Sequence, residues 1–272
     1  RDVLSAQADY APLQSVDEYR PCAAPAGEAS AIARAATRLL SAKRPVIIAG
    51  GGITTTEGHA AALALAEALN APLVTSPGHG AAIPFGHPLN AGQMGPRGNF
   101  VASQLVKEAD VILALGTRIG FNATFYSYDN INRDAAIIQI ELDPTALGRY
   151  FPIAIGIWAD APTAALQLCN EVTRLEKRRL ADDWTATFKA DRRAFLAARD
   201  AEAITTANPI QPSGLFKTLR DVLPTDAAIT MDAGTLCLQA TGALNYWQPK
   251  SLFTPLDFGL VGFSYACGLG VK

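Results

Sequence analysis

Short apolar runs alternate with amphipathic stretches over the first two thirds of the chain. EASAIARAATRLLSA (28–42) places apolar residues at helical spacing and predicts a helix. PVIIAGGG (45–52) predicts a strand ending in glycines, 58–70 an alanine-rich helix, and PLVTS (72–76) a second strand. A Gly/Pro-rich stretch, 77–99, reads as a loop. A helix over 100–108 leads into the strand DVILALG (110–116), and a loop rich in Asn and Tyr leads into the strand AAIIQIELD (135–143). IAIGIWAD (153–160) is a further strand, followed by a helix near 162–175. These strands are continuously apolar where a half-solvated strand would alternate. Both of their faces are therefore expected to be covered, which predicts an α/β, doubly wound parallel sheet over residues 28–176.

The flanking segments read differently. Residues 1–27 lack periodicity, carry Pro12, Pro21 and Pro25, and read as a connecting strap. Residues 177–208 are charged and helical and read as a linker ending at Ala207-Asn208-Pro209. Its Lys177-Arg178-Arg179 run reads as a solvated face. A second α/β pattern starts at 209. QPSGLFKTLRDVL predicts a helix with Ser213 as N-cap, AAITMDAG (227–234) a strand, then a helix, and SLFTP a short strand. FGLVGFSYACGLGVK (258–272) predicts a turn entering a helix of small residues. Its Gly, Ser and Cys residues are weak helix formers, and small side chains permit close approach, so close packing against that helix is expected. The pattern stops before a second sheet is complete, so 209–272 reads as the start of an incomplete second α/β domain and the chain as part of a longer protein. No internal repeat or low-complexity tract stands out.

Composition narrows the classes. Of 272 residues, 49% are apolar and 18% charged, enough for a sizeable core and unlike a disordered chain. A net charge of −2 with scattered basic residues gives no footprint for nucleic acid or an anionic membrane. No apolar run approaches the roughly 18 residues that span a bilayer, and the first residues have no signal-peptide apolar region. Cys22, Cys169, Cys237 and Cys267 form no CxxC pair and predict reduced thiols in a cytoplasmic protein.

Candidate chemistry gathers at predicted strand ends. Gly50, Gly51 and Gly52 lie between a strand and a helix, where bare backbone can approach a diphosphate; a tight strand-to-helix turn explains them equally. Arg118 follows a later strand and can grip a phosphate or form a surface ion pair. Glu141 and Asp143 close the next strand, where a carboxylate can accept ribose hydroxyls, and Asp160 ends the last. All lie at the strand ends where open α/β sheets bind ligands, so together they outline a nucleotide-shaped crevice for FAD or ADP. Neither His59, which opens a helix, nor the loop residues His79 and His87 has a catalytic partner nearby in sequence. Tyr126 and Tyr128 read as packing or interface residues. GxSxG, HExxH and Walker motifs are absent, which removes simple hydrolase and kinase readings.

RPVIIAGGG, ADVILALGTR, IIQIELDPTALGR and GIWAD, in this order, resemble the middle domain of the acetolactate synthase-like thiamine-diphosphate enzymes. TMDAG followed by FGLVGFSYACGLGVK is similar to the start of their diphosphate-binding domain, and RDVL to the exit from their first domain. The resemblance covers essentially the whole chain. It implies a carboligase or lyase acting on 2-oxo acids or small aldehydes, with thiamine diphosphate and Mg²⁺ in the complete protein and a homodimer or homotetramer. It also implies that Gly259 offers its carbonyl to the aminopyrimidine and that Val261 is the wedge that bends the cofactor. Gly234, Thr235 and Leu236 would lie near the diphosphate, while Gly50, Gly51, Gly52, Arg118, Glu141, Asp143 and Asp160 take the positions at which flavin-binding members touch FAD. No catalytic residue is expected within the chain, because the family's catalytic glutamate and its GDG…N metal motif match nothing here. Several positions depart from acetolactate synthase itself. Val261 stands for a larger wedge, Ser264-Tyr265-Ala266 for Gly-Leu-Pro, Thr235-Leu236 for Gln-His, and Ile119-Gly120-Phe121 for Asp-Asp-Arg. Sulfoacetaldehyde acetyltransferase, glyoxylate carboligase and cyclic-diketone hydrolases are therefore comparable readings. A nucleotide-binding module without thiamine chemistry is the alternative from another class.

Overall fold

The computed structural model describes residues 23–125, 127–175 and 182–272, with Ala6, Gln7, Pro12, Ser15 and Glu18 ahead of them. Most of the expected strap, Tyr126, Cys22 and the Lys177-Arg178-Arg179 run lie outside the described residues. Six parallel strands form one sheet: β1 (Pro45–Ala49), β2 (Leu73–Thr75), β3 (Asn90–Gln93), β4 (Val111–Leu115), β5 (Ala136–Glu141) and β6 (Ile155–Trp158). Their order is β3-β2-β1-β4-β5-β6, the doubly wound arrangement that reverses direction between β1 and β4.

The apolar runs serve two cores at once. Ile47, Ala49, Leu113, Leu115, Ile138 and Ile140 point to one face, under α1 (Ala29–Leu40), α2 (Thr56–Leu69) and α5 (Ala161–Leu175). Val46, Ile48, Ile112, Ala114 and Ile137 point to the other, under α3 (Phe100–Glu108) and α6 (Asp182–Ala201). Side chains alternate along a strand, so a strand covered on both sides must be apolar throughout. Each large side chain so buried contributes roughly 1.5–3 kcal/mol. Helix α6 is tied down by polar bonds as well. Its Trp184 Nε1 donates to Pro45 O at 3.2 Å and Thr185 Oγ1 to Asn70 O at 2.6 Å.

A smaller unit follows: α7 (Pro212–Val222), β7 (Ile229–Thr230), α8 (Thr235–Ala243), β8 (Leu252–Phe253) and α9 (Phe263–Val271). Strands β7 and β8 pair in parallel. Phe216, Ala240, Leu244 and Tyr246 form its core with Ala81 of the larger unit. Among the described residues no helix is long and apolar enough to cross a membrane.

Several sequence expectations need correction. The expected loop 77–99 contains β3, whose sequence NAGQ has no apolar signal. Polar bonds hold it instead: Asn90 Nδ2 donates to Ile83 O and Pro84 O at 3.2 and 3.0 Å. Ser213 is not an N-cap. Pro212 occupies the first helical position, which its fixed φ favours, so the cap falls on Gln211 and Ser213 lies inside the first turn. Helix α2 starts at Thr56, because the Thr55 hydroxyl accepts Gly58 N–H at 3.0 Å; His59 therefore lies within the helix. The strand expected over 227–234 is regular only at Ile229–Thr230.

Candidate functional site

The loops after β1, β2, β4 and β5 surround a cavity of about 440 Å³ at the reversal point of the sheet. Gly51, Gly52, His79, Arg118, Glu141 and Asp257 are among its lining residues. Gly50 does not line it. Its N–H donates to Leu115 O, and a Cβ there would stand 2.3 Å from Gly116 O. Gly52 N–H donates to Gly116 O at 3.0 Å. These two glycines pack the β1 turn against the β4 turn, while Gly51 faces the cavity. Asp143 and Asp160 act as caps. Asp143 accepts Thr145 N at 2.9 Å, and Asp160 accepts Thr163 N at 3.0 Å at the start of α5. The hydrogen bonds from the Thr145 hydroxyl and N–H hold the Asp143 carboxyl below its ordinary pKa. Of the seven sequence candidates, the structure thus brings Gly51, Gly52, Arg118 and Glu141 together at the cavity.

Two further titratable residues line the cavity: Asp257, which the sequence did not single out, and His79, which it left without a partner. Asp257, from the smaller unit, accepts Asn122 Nδ2 at 2.7 Å and lies 3.5 Å from Arg118 Nη2. His79 lies against Gly51, and burial pushes its imidazole below the ordinary histidine range, with Asp257 opposing that shift and Arg118 adding to it. No local pattern announces either one, because both depend on contacts between distant segments.

The second cluster lies where β7 and β8 end. Both strands run the same way, so the loops 231–234 and 254–262 emerge on one edge. Ala233 N–H donates to Leu260 O at 3.0 Å and joins them. Gly234 caps α8 with φ +142, and Gly259 and Gly262 have φ +74 and +90, conformations that side chains disfavour. A Cβ at any of these three glycines would meet nothing within 4 Å, so each borders open space. No side chain caps the N-terminus of α8. The N-terminus of α9 is engaged: the Asp232 carboxylate accepts Ser264 N–H at 2.6 Å. That bond, with others from Gly262 and Phe263, holds the Asp232 pKa down. Val261 stands 81% exposed between the two positive-φ glycines. The structure therefore gathers Gly234, Thr235 and Leu236 with Gly259 and Val261, two groups 23 or more residues apart in sequence, around one edge.

A family model described as "Thiamine pyrophosphate enzyme, central domain" matches residues 32–168, half of the chain. The chain belongs to the thiamine pyrophosphate enzymes. Membership implies thiamine diphosphate as the cofactor. Among similar proteins, the sulfoacetaldehyde acetyltransferase of Alcaligenes xylosoxydans xylosoxydans is 34% identical over 90% of this chain and 44% of its own length. The acetolactate synthase isozyme 3 large subunit of Escherichia coli is 28% identical over 95% of this chain and 44% of its own. The chain thus spans less than half the length of these curated relatives. The benzoylformate decarboxylase structure from Polynucleobacter necessarius covers 98% of this chain and 46% of its own, with a TM-score of 0.71 and 17% identity, and it shows the fold. The matched segment contains the whole six-stranded sheet and all of the crevice's candidate residues.

Proposed function

We propose that this chain is the middle domain and cofactor-entry segment of a thiamine-diphosphate-dependent carboligase or lyase acting on 2-oxo acids or related small carbonyl compounds. One observation carries the reading: within a chain of this family, Gly234 and the Gly259–Gly262 turn converge on one strand edge beside an uncapped helix N-terminus. The relatives named for acetyl transfer from or to sulfoacetaldehyde and for acetolactate synthesis support a small-carbonyl substrate.

The residues fit the cofactor in chemical terms. A helix N-terminus with unsatisfied N–H groups attracts a diphosphate, and α8 offers one at Gly234, Thr235 and Leu236. Among the described residues, no hydrogen bond engages the Gly259 carbonyl or the Val261 N–H, so both can meet a pyrimidine ring. The exposed Val261 side chain supplies the bulk for a bend, and Asp232 fixes the turn that presents it. Thiamine diphosphate, when bound, supplies the thiazolium carbon that adds to the substrate carbonyl. The chain's own part is to bind and orient it. Among the described residues no cluster of three or more His, Cys, Asp or Glu side chains is placed to hold a metal.

For the cavity at the β1–β4 reversal, the flavin reading retains Gly51, Gly52, Arg118 and Glu141 as lining groups. It loses Gly50, Asp143 and Asp160, whose groups are engaged within the fold. No observation favours a nucleotide-binding module without thiamine chemistry. Assembly as a homodimer or homotetramer and a cytoplasmic setting belong to the same proposal; Cys169, Cys237 and Cys267 are free thiols, as that setting requires. The test is release of carbon dioxide from a 2-oxo acid, or consumption of sulfoacetaldehyde, by the protein containing this chain. Activity that appears only with added thiamine diphosphate and Mg²⁺ supports the proposal, and cofactor-independent turnover or no turnover with any small carbonyl refutes it.

A further inference from the structure

A small, partly enclosed cavity of about 40 Å³ lies where three parts of the molecule meet: the β2–β3 edge, helix α6 and helix α8. Thr75, Gln93, Asn99, Arg192, Arg199 and Thr241 are among the residues around it. Thr75 is 1% exposed, and its Oγ1 has no hydrogen-bond partner. A hydroxyl buried and left unpaired costs about 1–3 kcal/mol, so its presence on a cavity wall points to a missing partner. Gln93 is also buried; its Oε1 accepts Gly78 N–H, and among the described residues no hydrogen bond engages its amide N–H groups.

The charges around the cavity do not balance. Arg192, half-buried, donates to Phe85 O at 2.6 Å, and among the described residues no carboxylate pairs with it. Arg199 lies beside it; the two guanidiniums stand 5.4 and 5.9 Å from the centre of the Phe85 ring. Asp200 is shared by Arg199 at 3.0 Å and Arg220 at 2.8 Å. Arg199 and Arg220 thus share the Asp200 carboxylate while Arg192 has none, and an arginine cannot shed its proton to relieve the repulsion. Burial, then the charge of Arg199, act against the charged form of Arg192 and of Arg220 alike. The Phe85 carbonyl and ring stabilise the Arg192 guanidinium in part, but neither neutralises its charge.

We propose that this cavity binds one halide-sized monovalent anion, with Thr75 Oγ1, the Gln93 amide and the guanidiniums of Arg192 and Arg199 as its donors. The size sets the class. A water-sized guest needs roughly 10–15 Å³ of such space, so about 40 Å³ admits a chloride or bromide ion and excludes a nucleotide or a diphosphate. Water alone would satisfy Thr75 and leave the excess positive charge in place. The bound anion cross-links the sheet edge at Thr75 and Gln93 to helix α6 at Arg192 and Arg199, beside the wall that α8 supplies.

The test uses the protein containing this chain, crystallised from bromide and melted in chloride or in gluconate, too bulky to enter, at equal ionic strength. The expected result is an anomalous bromide peak in the cavity and a melting temperature a few degrees higher in chloride, rising further with chloride concentration. Thr75→Val, isosteric and without the hydroxyl, and Arg192→Met are both expected to abolish the chloride–gluconate difference. A purely structural role for Arg192 would lower melting equally in both salts. Water without bromide in the cavity overturns the proposal, as does a chloride–gluconate difference that survives both substitutions. Should Arg192→Met fail to fold, the crystal and Thr75→Val decide.

Discussion

Gly50→Ala isolates what the glycine run is for. Gly50 has φ −109 and ψ −166, a conformation open to any residue, so the substitution adds no backbone strain. Its effect is steric. The new methyl would lie 2.3 Å from Gly116 O, 2.5 Å from Thr117 Cβ and 2.9 Å from Gly116 C. Two of these atoms are backbone and cannot rotate aside, which places the overpacking near the upper end of the usual range, about 3 kcal/mol. The stiffer unfolded chain returns about 0.4–1 kcal/mol. The net loss is roughly 2 kcal/mol, or about 4–8 °C of melting temperature for a domain of this size. Gly51→Ala is the control. The three atoms nearest its methyl all belong to the His79 side chain, at 2.9 Å and beyond, with no backbone among them, so a smaller loss, about 1 kcal/mol, is expected. Urea unfolding followed by far-ultraviolet circular dichroism measures both. A Gly50→Ala protein as stable as the parent, beside a strongly destabilised Gly51→Ala protein, would refute the packing role.

Other consequences can be measured separately. Burial depresses the folded-state pKa of His79 and of His59, so the unfolded chain takes up protons first on acidification. Their contribution is present above about pH 6.5 and falls as the pH drops below it; the urea midpoint should decline from pH 7.5 to 5.5 less steeply in His79→Gln, and an unchanged slope would count against burial as the cause. Asp160→Ala removes the cap of α5 and should lower stability by about 1 kcal/mol in thermal melts, while a neutral result would return Asp160 to the list of ligand-binding candidates. Val261→Ala changes an exposed side chain, so melting should stay within about 0.5 kcal/mol of the parent while thiamine diphosphate binding, measured by titration calorimetry, weakens; equal affinity would remove Val261 from the cofactor site.

The runs PVIIA and VILAL announce their strands because a strand with helices on both faces is mostly apolar, and AIIQIE does so despite buried Gln139, whose amide is satisfied by Thr117 O, Ala146 O and Gly148 N–H. β3 was illegible for the opposite reason: its NAGQ is positioned by side-chain hydrogen bonds, which leave no periodicity. β7 and β8, of two residues each, lie within the runs AAITMDAG and SLFTP that announce them, though the regular part of each is shorter than its run. At the cavity, Arg118 and Glu141 were legible from their place after strands. Asp143-Pro144-Thr145 and Asp160-Ala161-Pro162-Thr163 carried a second signal, an acid before a proline near a helix start, which marks a cap. Asp257 was invisible because it arrives from 139 residues beyond Arg118. The arginine junction likewise joins segments that the chain keeps far apart.

Titration of the protein containing this chain with thiamine diphosphate in the presence of Mg²⁺ tests the central claim most directly, with Gly234→Val and Val261→Asp as partners to the parent. The account predicts saturable binding by the parent, and at least tenfold weaker binding by each variant, about 1.4 kcal/mol, with folding unaltered by circular dichroism. Absence of binding by the parent, or full affinity in both variants, would contradict it.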